Sequence, residues 1–239
     1  MVELGLLDLS KGDFVLSDDG FLYAKNKGKA PGLVSVPAQY DGRQVFGVEA
    51  CGFANCIEAA HLTMADSILE IRDGAFENCT KLAVVVLPRN LKFLGDRAFF
   101  GCSKLTTITV PEGIQSIEDA TFMGCSNLRK VIVPRNLRQI GDMAFMDCRL
   151  LESIQIRGKV IDIGMYSFAG CSSLVRIDIP RSVRYIGSYA FSGCTSLRSI
   201  HYGGTKASWL MLSDPSRGTI VPDNCTVNCS DGKLSGRGK

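Results

Sequence analysis

The chain has 239 residues, 46% of them hydrophobic and 21% charged, a balance that is typical of a folded protein and argues against a disordered one. Its formal net charge of +3 is small, so we expect no nucleic-acid partner, which would require a concentrated basic patch. No apolar run reaches the about 18 residues of a membrane-spanning helix, and we expect no membrane insertion. Early acidic residues, Glu3 and Asp8, and the lack of a basic start predict that residues 1–8 are not a signal peptide, so either the chain is cytoplasmic or the numbering begins after a removed leader.

Residues 1–35 come before any repeating pattern, and we interpret them as an N-terminal cap. Two apolar runs, Phe14–Leu16 and Phe21–Ala24, flank the polar residues 17–20 (SDDG). Apolar runs that are joined by an Asp-Gly turn predict a β-hairpin. A cap is expected because the open end of a stack of repeats exposes apolar side chains and unpaired strand edges.

Residues 36–200 repeat with a period of 23. Phenylalanine occurs at 53, 76, 99, 122, 145, 168 and 191, and cysteine occurs at 56, 79, 102, 125, 148, 171 and 194. A fixed period indicates an array of stacked coils, about seven here, that share one continuous core. The first coil is irregular, and residues 40–44 (YDGRQ) are predicted to form an extra loop. We therefore expect Phe122→Ala, in mid-array, to destabilise the protein more than Phe53→Ala.

Within each coil the apolar residues follow one scheme. Leucine at 82, 105, 128, 151, 174 and 197 is followed by β-branched residues at a spacing of two, which predicts a short strand with one face inward. Proline then ends the strand in most coils, and the Ala-Phe-x-Gly-Cys segment is predicted to close the coil as a short helical turn. The pattern predicts a β-rich repeat solenoid of 23-residue coils, with short strands and short helical turns, capped at both ends.

The period breaks after residue 200, and residues 201–230 are interpreted as a C-terminal cap. The single tryptophan, Trp209, lies in this segment and is expected to cover the last coil. Residues 231–239 are polar and rich in glycine, so we predict a disordered tail.

Seven of the ten cysteines belong to the 23-residue ladder. Their side chains are expected to point the same way from stacked coils, which favours buried free thiols over disulfides. Cys51, Cys225 and Cys229 lie outside the ladder, and they either form a disulfide or stay reduced.

The sequence offers little for catalysis. Asp178 and His201 are 23 residues apart and are expected to lie on adjacent strands, with Ser199 on the same face. These are the residue types of a serine hydrolase, but residues two apart on a strand are separated by about 6.5–7 Å, too far for a serine–histidine hydrogen bond. A surface cross-strand pair is the preferred interpretation, so we expect no enzyme, no cofactor and no metal site.

The repeat resembles a known family in residues 174–194 (LVRIDIPRSVRYIGSYAFSGC) and in their equivalents. It is similar to the BspA-like (treponemal-type) leucine-rich repeat, and residues 202–209 and 225–232 resemble the usual tail of such arrays. The resemblance implies a right-handed leucine-rich-repeat superhelix. It also implies a surface or secreted protein of a host-associated microbe that is used for adhesion and protein contacts.

The outward strand face is the expected binding surface, because it is wide and regular in solenoids. Two rows of outward side chains form it: Val84, Thr107, Lys130, Ser153 and Arg176 in one, and Val86, Thr109, Ile132, Gln155 and Asp178 in the other. The valines and isoleucine form a modest apolar patch; the alternative is that β-branched residues stand there only because they favour strands.

A second pattern follows the prolines. Six basic residues recur every second coil and form a possible basic ridge: Arg89, Lys92, Arg135, Arg138, Arg181 and Arg184. The ridge could engage an acidic protein or a glycan, or it could be a solvated edge that discourages strand-to-strand aggregation.

These observations predict a monomeric, non-catalytic module that binds a protein or glycan partner through its outward strand face. The first alternative is a structural spacer that displays neighbouring modules, and the second, remote alternative is a hydrolase that uses Asp178, His201 and Ser199.

Overall fold

The computed structural model describes residues 14–27, 32–212, 221–222 and 224–235. The described residues form a solenoid in which each regular coil contributes one strand to each of two columns. The predicted β-rich repeat solenoid of 23-residue coils is therefore confirmed. Equivalent residues of adjacent coils pair in parallel register with the expected offset, as Thr107 does with Lys130.

The first column carries the strands predicted from the leucine pattern: β3 (Leu33–Val36), β7 (His61–Met64), β9 (Val84–Val85), β11 (Thr107–Thr109), β13 (Lys130–Ile132), β15 (Ser153–Gln155), β17 (Arg176–Ile179), β19 (Ser199–Tyr202) and β20 (Thr226–Cys229). The second column begins with β2 (Phe21–Ala24) of the N-terminal hairpin and continues through the second strand of each coil: β6 (Gly47–Val48), β8 (Glu70–Ile71), β10 (Phe93–Leu94), β12 (Ser116–Ile117), β14 (Gln139–Ile140), β16 (Asp162–Ile163) and β18 (Tyr185–Ile186). The remaining elements are β1 (Phe14–Leu16), β4 (Gln39–Tyr40), β5 (Arg43–Gln44), α1 (Lys206–Leu212) and β21 (Gly232–Ser235).

The phenylalanine ladder forms the centre of the core. All seven rings are at most 1% exposed. Successive rings stack with centroids 5.4 to 6.0 Å apart and nearly parallel planes, from Phe53 to Phe191. One coil alone could not cover both faces of its ring, so burial of the ladder depends on stacking.

The Ala-Phe-x-Gly-Cys segment closes each coil as a run of overlapping turns and not as the predicted helical turn. The Phe100 N–H donates to the Arg97 carbonyl of its own coil at 3.0 Å, but the Phe99 N–H donates to Thr121 of the next coil at 2.9 Å. A helix would keep every amide within the coil. The alternation requires left-handed backbone at Arg97 (φ 54°) and at Gly101 (φ 69°), and glycine suits the second position.

The ladder cysteines are free and buried, as predicted. Each thiol from Cys79 to Cys194 donates to the carbonyl of the phenylalanine 26 residues earlier, at 3.1 to 3.3 Å. Burial raises the pKa of Cys79 to about 12 and the pKa of Cys194 to about 12. The thiols thus serve as small core residues that also bridge adjacent coils.

The N-terminal hairpin lies against the first coil. Strands β1 and β2 are antiparallel, with the turn at Gly20 in left-handed backbone (φ 87°), and β2 continues into the second column by pairing with β6. The predicted loop at 40–44 is a small hairpin formed by β4 and β5. The Tyr40 hydroxyl donates to the Phe14 carbonyl at 3.2 Å, so this hairpin packs on the cap. The rest of the predicted cap, residues 1–13 and 28–31, lies outside the described residues.

At the C-terminus the sheet extends further than predicted. Strand β20 pairs in parallel with β19, and β21 pairs antiparallel with β20. The predicted disordered tail is therefore wrong for 232–235, because the edge of β20 offers backbone hydrogen bonds and Leu234 packs against the core. Residues 236–239 lie outside the described residues. Trp209 is buried against Tyr202 at 5.3 Å, as expected of a covering residue.

Candidate functional site

The ten side chains predicted to face outward do so. Nine are exposed and Asp178 is half-buried. The apolar members are exposed over about half of their surface: 45% for Val84, 55% for Val86 and 47% for Ile132. That this face binds a partner stays a prediction.

The strand face is interrupted between β9 and β11. Strand β9 pairs with β7 and β11 pairs with β13, but no pairing joins β9 to β11. The second column is interrupted between the same two coils, because β10 pairs only with β8 and β12 only with β14. The first column is also interrupted between β13 and β15, but there the second column stays paired, because β14 pairs with β16.

Missing hydrogen bonds show the extent of this interruption. The Val110 N–H donates to the next coil at 2.9 Å, and the Gly141 N–H donates to the preceding coil at 2.7 Å. Within the described part of the chain, the equivalent amides of Leu87 and Glu118 have no such bond. The turn side stays closed, since Phe99 still bonds the following coil at 2.9 Å. The two coils therefore separate on the strand side alone.

A cleft of about 560 Å³ lies at the interruption in the first column. It is lined by Val85, Val86, Leu87, Arg89, Thr107, Thr109, Pro111 and Glu112. Val85 is half-buried, although its equivalents in the other coils are buried, because the neighbouring coil does not cover it fully. The cleft thus adds an indentation to the face that carries the exposed valines.

The C-terminal half of the face is polar, and its side chains pair with one another. The Arg176 guanidinium donates to the Asp178 carboxylate at 2.8 and 3.1 Å, and this hydrogen bond raises the pKa of Arg176. Arg157 donates to the Gln155 side-chain oxygen at 2.9 and 2.6 Å. A second cavity of about 390 Å³ lies beside these residues. The Gln155, Arg157 and Asp178 side chains that line it are already bonded within the chain, which lowers what an external ligand could gain from them.

The hydrolase residues are close in space but do not form a catalytic arrangement. Asp178 and His201 are in register on β17 and β19, as expected. The Ser199 hydroxyl accepts a hydrogen bond from Asn228 at 3.0 Å, and Asp178 is held by Arg176. In the described residues no hydrogen bond joins Ser199, His201 and Asp178 to one another.

The six residues of the predicted basic ridge are all exposed. Arg89 pairs with Asp66 at 3.1 Å, and the Arg135 backbone N–H donates to the Glu112 carboxylate at 2.9 Å. Arg89 is therefore neutralised by the chain itself, whereas the Arg135 guanidinium is not. Arg138, Arg181 and Arg184 form no ion pair with any described residue.

The sequence analysis did not predict the cleft, and it missed the lining residues that belong to neither outward row, such as Leu87 and Glu112. The period is unbroken at this point, so the repeat pattern carries no signal of an interruption. Asn228 was missed as the partner of Ser199, because β20 fell outside the predicted array.

Metal and membrane sites are not found in the described part of the chain. It contains no group of three or more His, Cys, Asp or Glu side chains that could hold a metal ion. None of its helices has the length and apolar composition that crossing a membrane requires.

Comparison with known proteins identifies the repeat. The family model of the BspA type leucine rich repeat region matches residues 47–175 and 93–208, in six copies. The crystal structure of the leucine rich repeat protein of T. pallidum is similar at 29% identity with a TM-score of 0.68, over 77% of this chain and 86% of that one. A leucine-rich repeat protein of Eubacterium ventriosum is similar at 27% identity with a TM-score of 0.64, over 76% of this chain and 50% of that one. No curated protein matches the sequence. Since the two matched spans cover residues 47–208, the protein belongs to the BspA type leucine rich repeat family.

Proposed function

We propose that the protein is a non-catalytic module that binds a partner protein through the N-terminal part of its outward strand face. The observation that carries the proposal is the exposure of Val84, Val86 and Ile132 beside the cleft between β9 and β11. Burying apolar surface stabilises a complex by about 25 cal/mol for each Å² removed from water. The exposed valines have the cleft beside them, so a partner that enters it could cover both together.

The division of the strand face supports this choice of region. In the C-terminal half Arg176 is bonded to Asp178 and Arg157 to Gln155, whereas the exposed Thr107 and Thr109 hydroxyls have no hydrogen-bond partner among the described residues. Interfaces combine an apolar centre with polar groups at the rim, and the cleft has Arg89 and Glu112 at its edge. The N-terminal half therefore combines apolar contact, hydrogen-bonding groups and an indentation.

The test compares two pairs of exposed apolar residues. Val86→Thr with Ile132→Thr lowers the apolar exposure of the strand face and keeps β-branched side chains. Leu69→Thr with Phe93→Thr is the matched control on the other side of the solenoid, where the two side chains are 38% and 39% exposed. Proteins captured from the cells and growth medium of the source organism are purified, and the affinity of each is measured directly.

We expect the strand-face pair to weaken the affinity for the partner about tenfold, since hot-spot truncations commonly exceed 1 kcal/mol. The melting temperature and the affinity of the control pair should be unchanged. Equal affinity for both variants would move the site away from the strand face. A spacer, the alternative function, predicts that no captured protein binds saturably to either face.

We also propose that this contact is made at a cell surface, as adhesion. The support is the resemblance of the repeats to a family of mainly surface and secreted proteins. Brief protease treatment of intact source cells should remove the protein before any cytoplasmic marker is lost. Survival of the protein until the cells lyse would contradict a surface location.

A further inference from the structure

We propose a second binding surface, independent of the strand face, that takes an extended acidic, proline-rich segment of a partner protein. It is the cationic cluster formed by Arg135, Arg138, Arg157, Lys159, Arg181 and Arg184. These residues lie in the turns after β13, β15 and β17. Residues 134–138, 157–161 and 180–184 contain six basic and no acidic residues, whereas residues 65–69, 88–92 and 111–115 contain two of each.

Elsewhere in the array, some basic side chains pair with an acid on the adjacent coil. Four ion pairs join residues that are 23 apart, with N···O distances of 2.8 to 3.3 Å: Arg72–Glu49, Lys81–Glu58, Arg89–Asp66 and Arg129–Glu152. Parallel stacking places residues 23 apart side by side, so an acid at that offset is within reach. At these four positions an acid on the adjacent coil thus neutralises the basic side chain.

The cationic cluster lacks this neutralisation. The position between Arg135 and Arg181 is Gly158, and the position between Arg138 and Arg184 is Ile161. Glu112 accepts the backbone N–H of Arg135, not its guanidinium. Asp162 lies in the adjacent row, in register with Tyr185, and is a single acid against six cations. None of the six side chains forms an ion pair with any residue that the structure describes.

The backbone fixes how these arginines are arranged. The Ile161 N–H donates to Arg138 and the Arg184 N–H donates to Ile161, both at 2.7 Å, so the three residues form one row across three coils. Arg138 and Arg184 are therefore two coils apart, a backbone separation of about 9.6 Å. At Gly158 a β-carbon would collide with the Arg135 carbonyl, so no side chain fills the gap between Arg135 and Arg181.

The spacing and chemistry suit one kind of partner. A polyproline II helix has three residues per turn and a rise of about 3.1 Å, so every third side chain repeats on one face after about 9.3 Å. Acidic residues at that interval would meet Arg138 and Arg184 together. Guanidinium groups bind carboxylates through two parallel hydrogen bonds. Ile161, 40% exposed between the two arginines, offers apolar surface to the intervening proline rings.

The probe for the test is a fluorescent peptide of four Pro-Pro-Glu repeats, and the control is the matching Pro-Pro-Gln peptide. Binding to the full chain is measured by fluorescence polarisation at low and high salt. We expect the Glu peptide to bind at low salt, with an affinity that falls as screening shortens the Debye length. The Gln peptide should not bind.

Two pairs of substitutions locate the site. Arg138→Gln with Arg184→Gln should weaken Glu-peptide binding about tenfold or more, because each substitution removes charge-assisted hydrogen bonds. Arg89→Gln with Lys92→Gln, the basic pair of an earlier coil, should leave it within about twofold, because exposed charges contribute little by themselves. Arg138→Lys with Arg184→Lys should be intermediate, since lysine keeps the charge and loses the paired hydrogen bonds.

Equal losses from the two pairs of glutamine substitutions would overturn the proposal, as would equal binding of the Gln peptide. Binding of a heparin oligosaccharide without binding of the Glu peptide would also overturn it and indicate a sulfated glycan. Val86→Thr with Ile132→Thr should leave Glu-peptide binding unchanged, so a failure of the strand-face proposal is distinguishable from a failure of this one.

Discussion

Phe122→Ala tests whether the stacked rings hold the coils together. Phe122 is fully buried, and its ring stacks between Phe99 at 5.8 Å and Phe145 at 5.5 Å, with interplanar angles of 3° and 11°. Truncating a buried phenylalanine to alanine costs about 3–5 kcal/mol, and each aromatic pair contributes about 0.5–1.5 kcal/mol beyond its buried area. With both faces stacked, we expect a loss near the upper end, about 4–5 kcal/mol.

Phe191→Ala is the matched control at the end of the ladder. Phe191 is equally buried, but among the described residues its ring stacks on one other ring only, Phe168 at 6.0 Å. Its truncation should therefore cost less than Phe122→Ala by about one aromatic pair, about 0.5–1.5 kcal/mol. The structure gives no support to a lower cost at Phe53, which the sequence predicted, because the Phe53 ring packs against tilted Phe14 at 5.7 Å and stacks on Phe76 at 5.4 Å.

The assay is urea unfolding followed by circular dichroism and by the fluorescence of Trp209, the only tryptophan. Repeat arrays can unfold in parts, so coincident transitions from the two probes are required before a free energy is derived. A loss below about 1 kcal/mol for Phe122→Ala would refute the shared core. A larger loss for Phe191→Ala than for Phe122→Ala would refute the stacking argument.

Three further predictions concern other ladders and turns. In the native protein an alkylating reagent should label Cys51 and Cys229 and spare the eight buried cysteines until urea is added; complete native labelling would contradict the burial. Burial raises the pKa of Asp96, and so do the negative charges of Asp73 and Asp119 on the neighbouring coils. The stability that the protonated Asp96 contributes is therefore present below the pKa of the unfolded chain and is lost as pH rises through the pKa of the folded protein. Asp96→Asn should thus raise the melting temperature at pH 7 and have no effect near pH 3. Gly158→Ala should lower the melting temperature more than Gly42→Ala. Both glycines have positive φ, but only at Gly158 would the added methyl group collide with backbone, so equal melting temperatures would contradict the prediction.

The repeat could be predicted because its side chains have fixed roles. A phenylalanine or cysteine every 23 residues has one favourable position, the shared interior, and period-two β-branched residues identify the strands. The outward orientation of Val86 and Ile132 follows from the same alternation.

Other features could not be read from the period. Some backbone N–H groups of the Ala-Phe-x-Gly-Cys segment, such as that of Phe99, donate to the next coil. The residue types of the segment do not distinguish this arrangement from a helical turn. Strand β21 forms because β20 offers it a free edge for antiparallel pairing, and β20 itself lies beyond the end of the repeat pattern. The cleft arises where Leu87 and Glu118 lose their inter-coil bonds, and this depends on backbone geometry that an unbroken repeat conceals.

The most direct test of the candidate site is amide hydrogen exchange resolved by residue. The site depends on two coils that separate on the strand side and remain joined on the turn side. We expect fast exchange at Leu87 and Glu118. Exchange should be slow at Val110 and Gly141, which donate to neighbouring coils at 2.9 and 2.7 Å, and at Phe99, which donates at 2.9 Å. Exchange at Leu87 and Glu118 as slow as at Val110 and Gly141 would show that the coils are closed there and would contradict the cleft.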